Sequence, residues 1–511
     1  MPRWRALPTG SDRIDCAPPY SFFSNVVERY FKAETNQSPL LRICAVARQQ
    51  GATELVVEDV VSRPDVAHEI TALDRRCGGG GEAEAVAFSF LRNPSEGSIV
   101  VDLSRAQMIA HVVLINYKAK HHSRFTHSYV YEAILPPPKR PYGNRSFDFP
   151  QTLVLPTKHF ECSVLGQIFT VKGILYCQQN DTLHVCAHSC LRMAIGSSQH
   201  SPSRISADRI NHLLGIKEKV DFLGSGQIAQ VINASGMKAA VRTDLKPDQY
   251  LAELASLIDS GYLAMLGFTT KGGVGHVVTA FGHSRRADQW HPQAMHAYSG
   301  PRSARYLPSS SWIDHFFIHD DNLGPYLSLS ARSFAKNPQM QLSCVIGLLP
   351  RPAIGSNQAE TIAASLLRSL PPLPEVEGEN FWMRYMAKRS EAPTLRSVLV
   401  SKTEYIDHLK RAKAHDQSRA DRATLAALEG LDESFWMVEF SLPTLYTGNR
   451  SKLGEVLISS TDYAGESGSV LGLRLPGRFL SVKEGDVYMW RSSLTSHSAI
   501  YEHRGATRKA A

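Results

Sequence analysis

The apolar positions of this chain form strand-like runs in some segments and recur at helical spacing in others. The apolar, β-branched stretch from Phe169 to Tyr176 predicts a strand. From Ala187 to Ile195 apolar side chains instead recur at the spacing of a buried helix. The sequence therefore predicts that Cys186 lies at or near the N-terminus of a helix.

The same patterns predict further elements along the chain. Helices are expected at 207–214, 247–258, 357–370, 403–414 and 420–428. Strands are expected at 262–269, 276–281, 312–319, 342–349, 435–440, 454–459 and 470–475. The stretch 99–117 is interrupted too often by polar residues to cross a bilayer and predicts a strand followed by an amphipathic helix. This order of helices and strands indicates an α+β fold.

At 511 residues the chain is too long for one ordinary hydrophobic core, so several domains are expected. The proline run Pro371-Pro372-Leu373-Pro374, followed by an acidic stretch, predicts a linker at 371–379. We therefore divide the chain into an N-terminal mixed region of unknown role (1–168), a central domain (169–370), this linker, and a C-terminal α+β region (380–511).

Composition narrows the function further. The formal charge of +8 is a mild excess of positive charge for this length, and the sequence contains no long run of basic residues. No specific nucleic-acid partner is therefore expected. The N-terminus has no apolar segment of signal-peptide length. Eight cysteines at irregular spacing favour free thiols in a reducing compartment, and the predicted location is the cytoplasm.

Three residues have the types and positions needed for thiol catalysis. Cys186 opens a predicted helix, whose N-terminal N–H groups stabilise a thiolate. His276 opens a predicted strand after a glycine-rich turn, where it can exchange a proton with the thiol. Asp320 closes another predicted strand and can orient the imidazole.

Neighbouring residues leave alternatives open at each position. Asp321 and Asp314 compete with Asp320 for the role of the carboxylate. The rivals of His276 are His283, His315 and His319.

A second interpretation of the segment around Cys186 is a metal site. The alternating run His184, Cys186, His188 and Cys190 suggests it, but residues two apart on a helix point to different sides. No metal or cofactor is therefore expected, and Cys190 is predicted to be a core residue.

The order cysteine, histidine, aspartate, on a helix and two strands, resembles that of the papain-like cysteine peptidases. It is most similar to the bacterial branch that includes the double-glycine leader peptidases. The similarity covers roughly residues 169–350 and is carried by Gln178-Gln179, the stretch from Cys186 to Met193, the stretch from Ile258 to Leu266, Gly275 to Val278, and Ile318-His319-Asp320.

The resemblance implies a papain-like core with additional N- and C-terminal regions. It also implies an upstream glutamine that donates to the oxyanion, a role we assign to Gln179, with Gln178 and Asn180 as alternatives. The implied activity is that of a thiol peptidase or amidase acting on a protein or peptide. An acyltransferase or transglutaminase with the same triad, or an inactive binding scaffold, remains the alternative.

Overall fold

The computed structural model describes residues 5–7, 11–15, 29–92, 103–138, 151–155, 157–183, 185–201, 204–218, 220–285, 306–369, 392–414, 428, 431–461, 469–475, 478–483, 486–491, 498–503 and 507–508. These residues form a mixed α+β fold built mostly from antiparallel sheets, which confirms the α+β part of the predicted fold class. None of the helices among them is both long and apolar enough to cross a membrane.

The first sheet has eight strands in the order β1-β2-β3-β4-β5-β6-β9-β8. They are β1 (Arg5–Leu7), β2 (Ser11–Asp15), β3 (Glu54–Asp59), β4 (Glu82–Arg92), β5 (Gln107–Lys118), β6 (His127–Leu135), β8 (Lys158–Val164) and β9 (Gln167–Tyr176). Two helices, α1 (Ser38–Gln49) and α2 (Pro64–Arg76), belong to the same part of the chain. Strand β9, predicted at 169–176, is thus part of this first sheet.

The amphipathic helix predicted in the second half of 99–117 is wrong, because that part of the chain forms β5. Its side chains from Met108 to Tyr117 are all buried. A strand covered on both faces loses the alternation of polar and apolar positions. A mainly apolar run that contains a few polar residues then fits a helix as well as a strand.

The second sheet contains the main path β10-β16-β11-β12-β14-β15, with β7 paired to β12 and β25 paired to β7. Its strands are β7 (Gln151–Val154), β10 (Lys238–Arg242), β11 (Ala264–Thr270), β12 (Gly275–Arg285), β14 (Ile313–Asp320), β15 (Gly324–Ser330), β16 (Met340–Leu349) and β25 (Thr507–Arg508). The associated helices are α3 (Cys186–Ser197), α4 (Ala207–Leu214), α5 (Ser225–Ala234), α6 (Pro247–Asp259) and α7 (Ala331–Lys336). The strands and helices predicted within this region are confirmed, with shifts of a few residues at their ends.

The third sheet has seven strands in the order β13-β17-β18-β20-β21-β22-β23. They are β13 (Leu307–Pro308), β17 (Thr394–Ser401), β18 (Ser434–Ser441), β20 (Gly454–Ser459), β21 (Val470–Leu475), β22 (Arg478–Lys483) and β23 (Asp486–Arg491). A short pair, β19 (Ser451–Lys452) and β24 (Ser498–Ala499), lies apart, and the helices are α8 (Ser356–Ser369), α9 (Lys402–Ala414) and α10 (Pro443–Asn449). The predicted linker at 371–379 and nearly all of the predicted helix 420–428 lie outside the described residues.

One continuous apolar core runs through the described parts of all three sheets. Helix α3 lies between β9 of the first sheet and β12 of the second, and all of its residues after Cys186 are buried. Helices α6 and α8 pack on β17 of the third sheet. The N-terminus of α3 is therefore held in place by the first and second sheets together.

A chain of buried charged side chains also joins α6 to the third sheet. We call it the charge network and define it as Asp259, Arg396, Glu439, Lys452, Glu455 and Arg474. Asp259, the last residue of α6, accepts a 2.9 Å hydrogen bond from Nε of Arg396. Arg396 in turn donates to Glu439 at 2.8 Å. The end of one helix is thus bonded through an arginine to the middle of the next sheet.

The network continues across the third sheet. Lys452, which has no exposed surface, donates from Nζ to Glu439 at 2.5 Å and also contacts Glu455. Two hydrogen bonds of 2.8 Å join Arg474 to the two oxygens of Glu455. Buried charges are costly unless they are paired, and each member of this set has an opposite charge as a neighbour.

Candidate active site

Cys186 is the first residue of α3 and is partly exposed, whereas the rest of the helix is buried. The residue before it, Val185, is extended, so the helix begins at the cysteine. The first backbone N–H groups of a helix have no acceptor within the helix and carry the positive end of its dipole. A thiolate at Cys186 is therefore stabilised by the helix on which it lies.

His188 fixes this end of α3 and was not assigned this role from the sequence. Its Nδ1 accepts from the backbone N–H of Val185 at 3.5 Å, and its Nε2 donates to Oδ1 of Asn211 at 3.0 Å. The side chain is completely buried. It is a capping residue rather than a metal ligand, and His184, which belonged to the same run, lies outside the described residues.

His276 is the second residue of β12 and lies next to the N-terminus of α3. Cys190, one turn after Cys186, donates from Sγ to the backbone oxygen of Val277 at 3.1 Å. This bond ties the helix to the strand beside the imidazole. The predicted core position of Cys190 is confirmed, since it is fully buried. On the other side, the ring of Phe268 in β11 packs edge-on against the imidazole, with centroids 5.4 Å apart.

The imidazole of His276 is hydrogen-bonded to Asp320 and interacts with the thiol of Cys186. Its Nε2 lies 3.1 Å from Oδ2 of Asp320. The other oxygen, Oδ1, accepts backbone N–H bonds of 2.9 and 3.0 Å from the turn after β14, so the carboxylate is fixed. Because Nε2 is engaged by the carboxylate, Nδ1 is the nitrogen left to interact with the thiol. The structure thus places the three residues chosen from the sequence in one relay.

The carboxylate of Asp321 also lies near the imidazole of His276. Its Oδ1 is 3.7 Å from Nε2 of His276, farther than the oxygen of Asp320. The side chain has no exposed surface, and neither carboxylate oxygen has a hydrogen-bond partner among the described residues apart from the N–H of Asp321 itself. Asp320 is therefore the better placed of the two to orient the imidazole, and Asp321 is a second carboxylate that contacts the same nitrogen at a longer distance.

His276, Asp320 and Asp321 shift one another's pKa values. Burial by itself lowers the pKa of His276, but the hydrogen bonds to Asp320 and Cys186 and the charges of the two carboxylates outweigh it and raise the pKa to about 10. Burial raises the pKa of Asp320, yet the bond to His276 and the backbone N–H donors bring it below its ordinary value. Burial raises the pKa of Asp321 to about 7. The imidazolium form of His276 is thus favoured at neutral pH.

Gln179 is the oxyanion candidate that lies at this site. It donates from Nε2 to Oδ1 of Asn322 at 2.9 Å, two positions after Asp320. Gln178 is buried with both ends of its amide bonded to backbone groups, at 2.9 and 3.0 Å. Oδ1 of Asn180 accepts from two backbone N–H groups of the following turn, at 3.1 and 2.9 Å. Gln179 is thus bonded to the loop that carries the carboxylates.

The rival histidines have other partners. Nε2 of His283 lies 2.8 Å from Oδ1 of Asp259, and burial lowers its pKa. His319 is fully buried and donates from Nδ1 to the backbone oxygen of Leu175 at 3.2 Å; burial lowers its pKa to about 3. His315 lies further back along β14, opposite Ser284. Asp314, the third candidate carboxylate, lies at the far end of β14 from Asp320.

Two groups of side chains have the spacing of metal ligands among the described residues. One is His408, Glu439 and Glu455, but the ammonium of Lys452 lies among them and contacts all three. A lysine thus already supplies the cation there. The second group is His276, Asp320 and Asp321, whose ligand atoms lie within 4.8 Å of one another.

A scan against protein-family models finds no match, and no curated protein matches the chain. What the chain does is therefore inferred from the geometry and chemistry of this site.

Proposed function

We propose that this chain is a cysteine-dependent acyl-transfer enzyme, a thiol peptidase or amidase with Cys186, His276 and Asp320 as a papain-like triad. One observation carries the proposal: a single imidazole is hydrogen-bonded to a fixed carboxylate and interacts with a thiol at a helix N-terminus. This is the arrangement that nucleophilic catalysis by cysteine requires. The catalytic helix α3 and the two strands β12 and β14 would form the papain-like core.

The first step is proton transfer from the Cys186 thiol to Nδ1 of His276. The thiolate that results is stabilised by the N-terminus of α3 and by the imidazolium. The imidazolium is stabilised by Asp320, which accepts from Nε2–H and holds the ring in the tautomer that leaves Nδ1 free to accept. The raised pKa of His276 favours this charged pair.

In the second step the thiolate sulfur bonds to the carbonyl carbon of an amide. The negative charge that develops on the carbonyl oxygen is held by the backbone N–H of Cys186 and the amide of Gln179. The C–N bond then breaks, and the imidazolium donates its Nδ1 proton to the departing amine. Water then attacks the resulting thioester and gives a proton to Nδ1, and the acid and the Cys186 thiolate are released, which restores the charged pair.

The substrate we propose is a protein or peptide, because the thiol is accessible and its reaction needs only an amide carbonyl. The test is to incubate the purified protein with a denatured protein mixture and identify new N-termini by mass spectrometry. We expect cleavage by the parent protein and none by Cys186→Ala. Cys77→Ser is the matched control, because it removes another partly buried thiol, the one directly after α2. This variant should cleave normally.

Turnover that persists in a cleanly purified Cys186→Ala protein would overturn the mechanism. The same reactions with an added primary amine identify the acyl acceptor. If the products carry the added amine in place of a free carboxylate, the reaction is transfer to an amine rather than hydrolysis. The roles of the three triad residues stay the same in that case.

A further inference from the structure

The atoms around Nε2 of His276 have the spacing of a metal coordination sphere. This nitrogen lies 3.1 Å from Oδ2 of Asp320 and 3.7 Å from Oδ1 of Asp321. Around a tetrahedral zinc ion with bonds of about 2.0–2.1 Å, neighbouring ligand atoms lie about 3.3 Å apart. All three atoms lie within 4.8 Å of one another, close to the spacing that such an ion requires.

The second observation is the isolation of Asp321. Its side chain has no exposed surface, and its two oxygens lack hydrogen-bond partners among the described residues except for its own N–H. Buried carboxylates are ordinarily paired with donors or cations because desolvation of the charge is costly. The nearest cationic group is the imidazole of His276, which Asp320 already engages at the shorter distance. A buried carboxylate with no hydrogen-bond donor from another residue, and with only a 3.7 Å contact to an imidazole, is a group that a cation would stabilise.

We propose that His276, Asp320 and Asp321 bind a divalent transition-metal ion of the Zn²⁺ class. One imidazole nitrogen and two carboxylates are ligands that zinc accepts, and the charge of the ion balances that of the two carboxylates. The fourth position is left for water. The ion takes the place of the proton that Nε2 shares with Asp320.

The effect of the ion on catalysis follows from the two ring nitrogens, and this part rests on the proposed function. A metal on Nε2 uses the lone pair of that nitrogen, so a neutral imidazole keeps its proton on Nδ1. Nδ1 is the nitrogen that must accept the thiol proton. Zinc at this site therefore inhibits the enzyme reversibly, and it does so by binding the imidazole and the carboxylates rather than the thiol.

The site itself is tested by direct binding in a background that has no catalytic thiol. In Cys186→Ser, titration of ZnCl₂ by calorimetry should show a saturable site, and zinc should raise the melting temperature. Adding Asp321→Asn should weaken that site at least about tenfold and abolish the rise in melting temperature. Asp314→Asn, on the same strand but at its far end, is the matched control and should bind like the parent.

If Asp321→Asn proves unfolded by circular dichroism, His276→Ala in the same background replaces it, with the same expected loss. Zinc binding that is unchanged in the folded variant, or no saturable binding in the parent, would overturn the site.

In the wild-type protein, zinc should suppress turnover and a chelator should restore it. Asp321-dependent binding with no turnover under any condition would refute the proposed function alone, whereas turnover without such binding would refute the site alone. Bound zinc that leaves turnover unchanged would refute the inhibition.

Discussion

Nε2 of His276 lies 3.1 Å from Oδ2 of Asp320, although 44 positions separate the two residues in the chain. The contact exists because β12 and β14 pair antiparallel, so the beginning of one strand meets the end of the other. Long insertions between paired strands cost little free energy, since the entropy of closing a loop grows slowly with its length.

We predict that the two carboxylates differ in their importance for catalysis. His276→Ala should lower turnover more than Asp320→Asn, because asparagine keeps an acceptor oxygen for the imidazole. Asp321→Asn should have the smallest effect, since its oxygen is farther from Nε2. Steady-state kinetics of the three variants checks the order. A severe loss in Asp321→Asn with little effect in Asp320→Asn would transfer the orienting role to Asp321.

We predict that Cys186 is the cysteine that iodoacetamide labels fastest near pH 6. At this pH an ordinary thiol, with a pKa of about 8.5, is almost wholly protonated. Burial raises the pKa of Cys177 to about 11 and that of Cys162 to about 12, so neither competes. His276→Ala should remove most of the labelling. Peptide mapping after brief treatment gives the answer, and label on Cys190 would contradict the assignment.

We predict that the two neighbouring glutamines separate into catalytic and structural roles. Gln179→Ala should lower kcat by roughly 10²–10³-fold with little change in stability, the usual loss for an oxyanion donor. Gln178→Ala should instead lower the free energy of unfolding, because its buried amide bridges two backbone groups. Kinetics and urea unfolding of both variants provide the comparison. If Gln179→Ala is as active as the parent, another group holds the oxyanion.

We predict a pH-dependent stability that originates at His276. Its pKa is raised to about 10 in the folded protein, against about 6.5 for an unperturbed histidine. Its contribution is therefore complete below about pH 6.5 and is lost as the pH rises through 10. In this window the free energy of unfolding should fall by up to about 1.4 kcal/mol per pH unit. Denaturant unfolding from pH 7 to 10 should show a shallower slope for His276→Ala, while replacing the exposed His122 should change nothing.

We predict that the charge network is sensitive to the loss of one member. Lys452→Met leaves Glu439 and Glu455 without their shared ammonium and should reduce the free energy of unfolding by about 3–5 kcal/mol. Lys118→Met removes a comparable pair with the exposed Glu82 and should cost at most about 1 kcal/mol. Urea unfolding measures both. Equal losses would show that burial of the network does not matter.

Much of the local structure could be predicted because its signals are local. Helix α3 was found from the spacing of apolar residues after Cys186, and β12 and β14 from apolar runs that end in polar residues. β5 was mistaken in part for a helix, because a strand buried on both faces lacks alternation. Periodicity is thus most reliable for elements with one polar face.

The pairing of strands that are distant along the chain could not be predicted from the sequence. β9 lies at the start of the predicted central domain and pairs with β6 and β8 of the first sheet, a partnership that its own residues do not indicate. Asn322, which accepts from Gln179, carries no signal of its own, because an asparagine in a turn is common. The three triad residues were chosen from their types and local positions, and the structure brings them together; their catalytic roles stay predictions.

The bonds between α6 and the third sheet determine what happens if the chain is cut. Besides the pair Asp259 and Arg396, the hydroxyl of Ser256 donates to the backbone oxygen of Ser397 at 2.9 Å, inside the same apolar core. Cleavage at a site engineered between residues 370 and 391 should therefore leave two polypeptides that migrate as one particle in gel filtration. Expressed separately, the two pieces should each be poorly soluble, and they should recover a common fold when produced in the same cell.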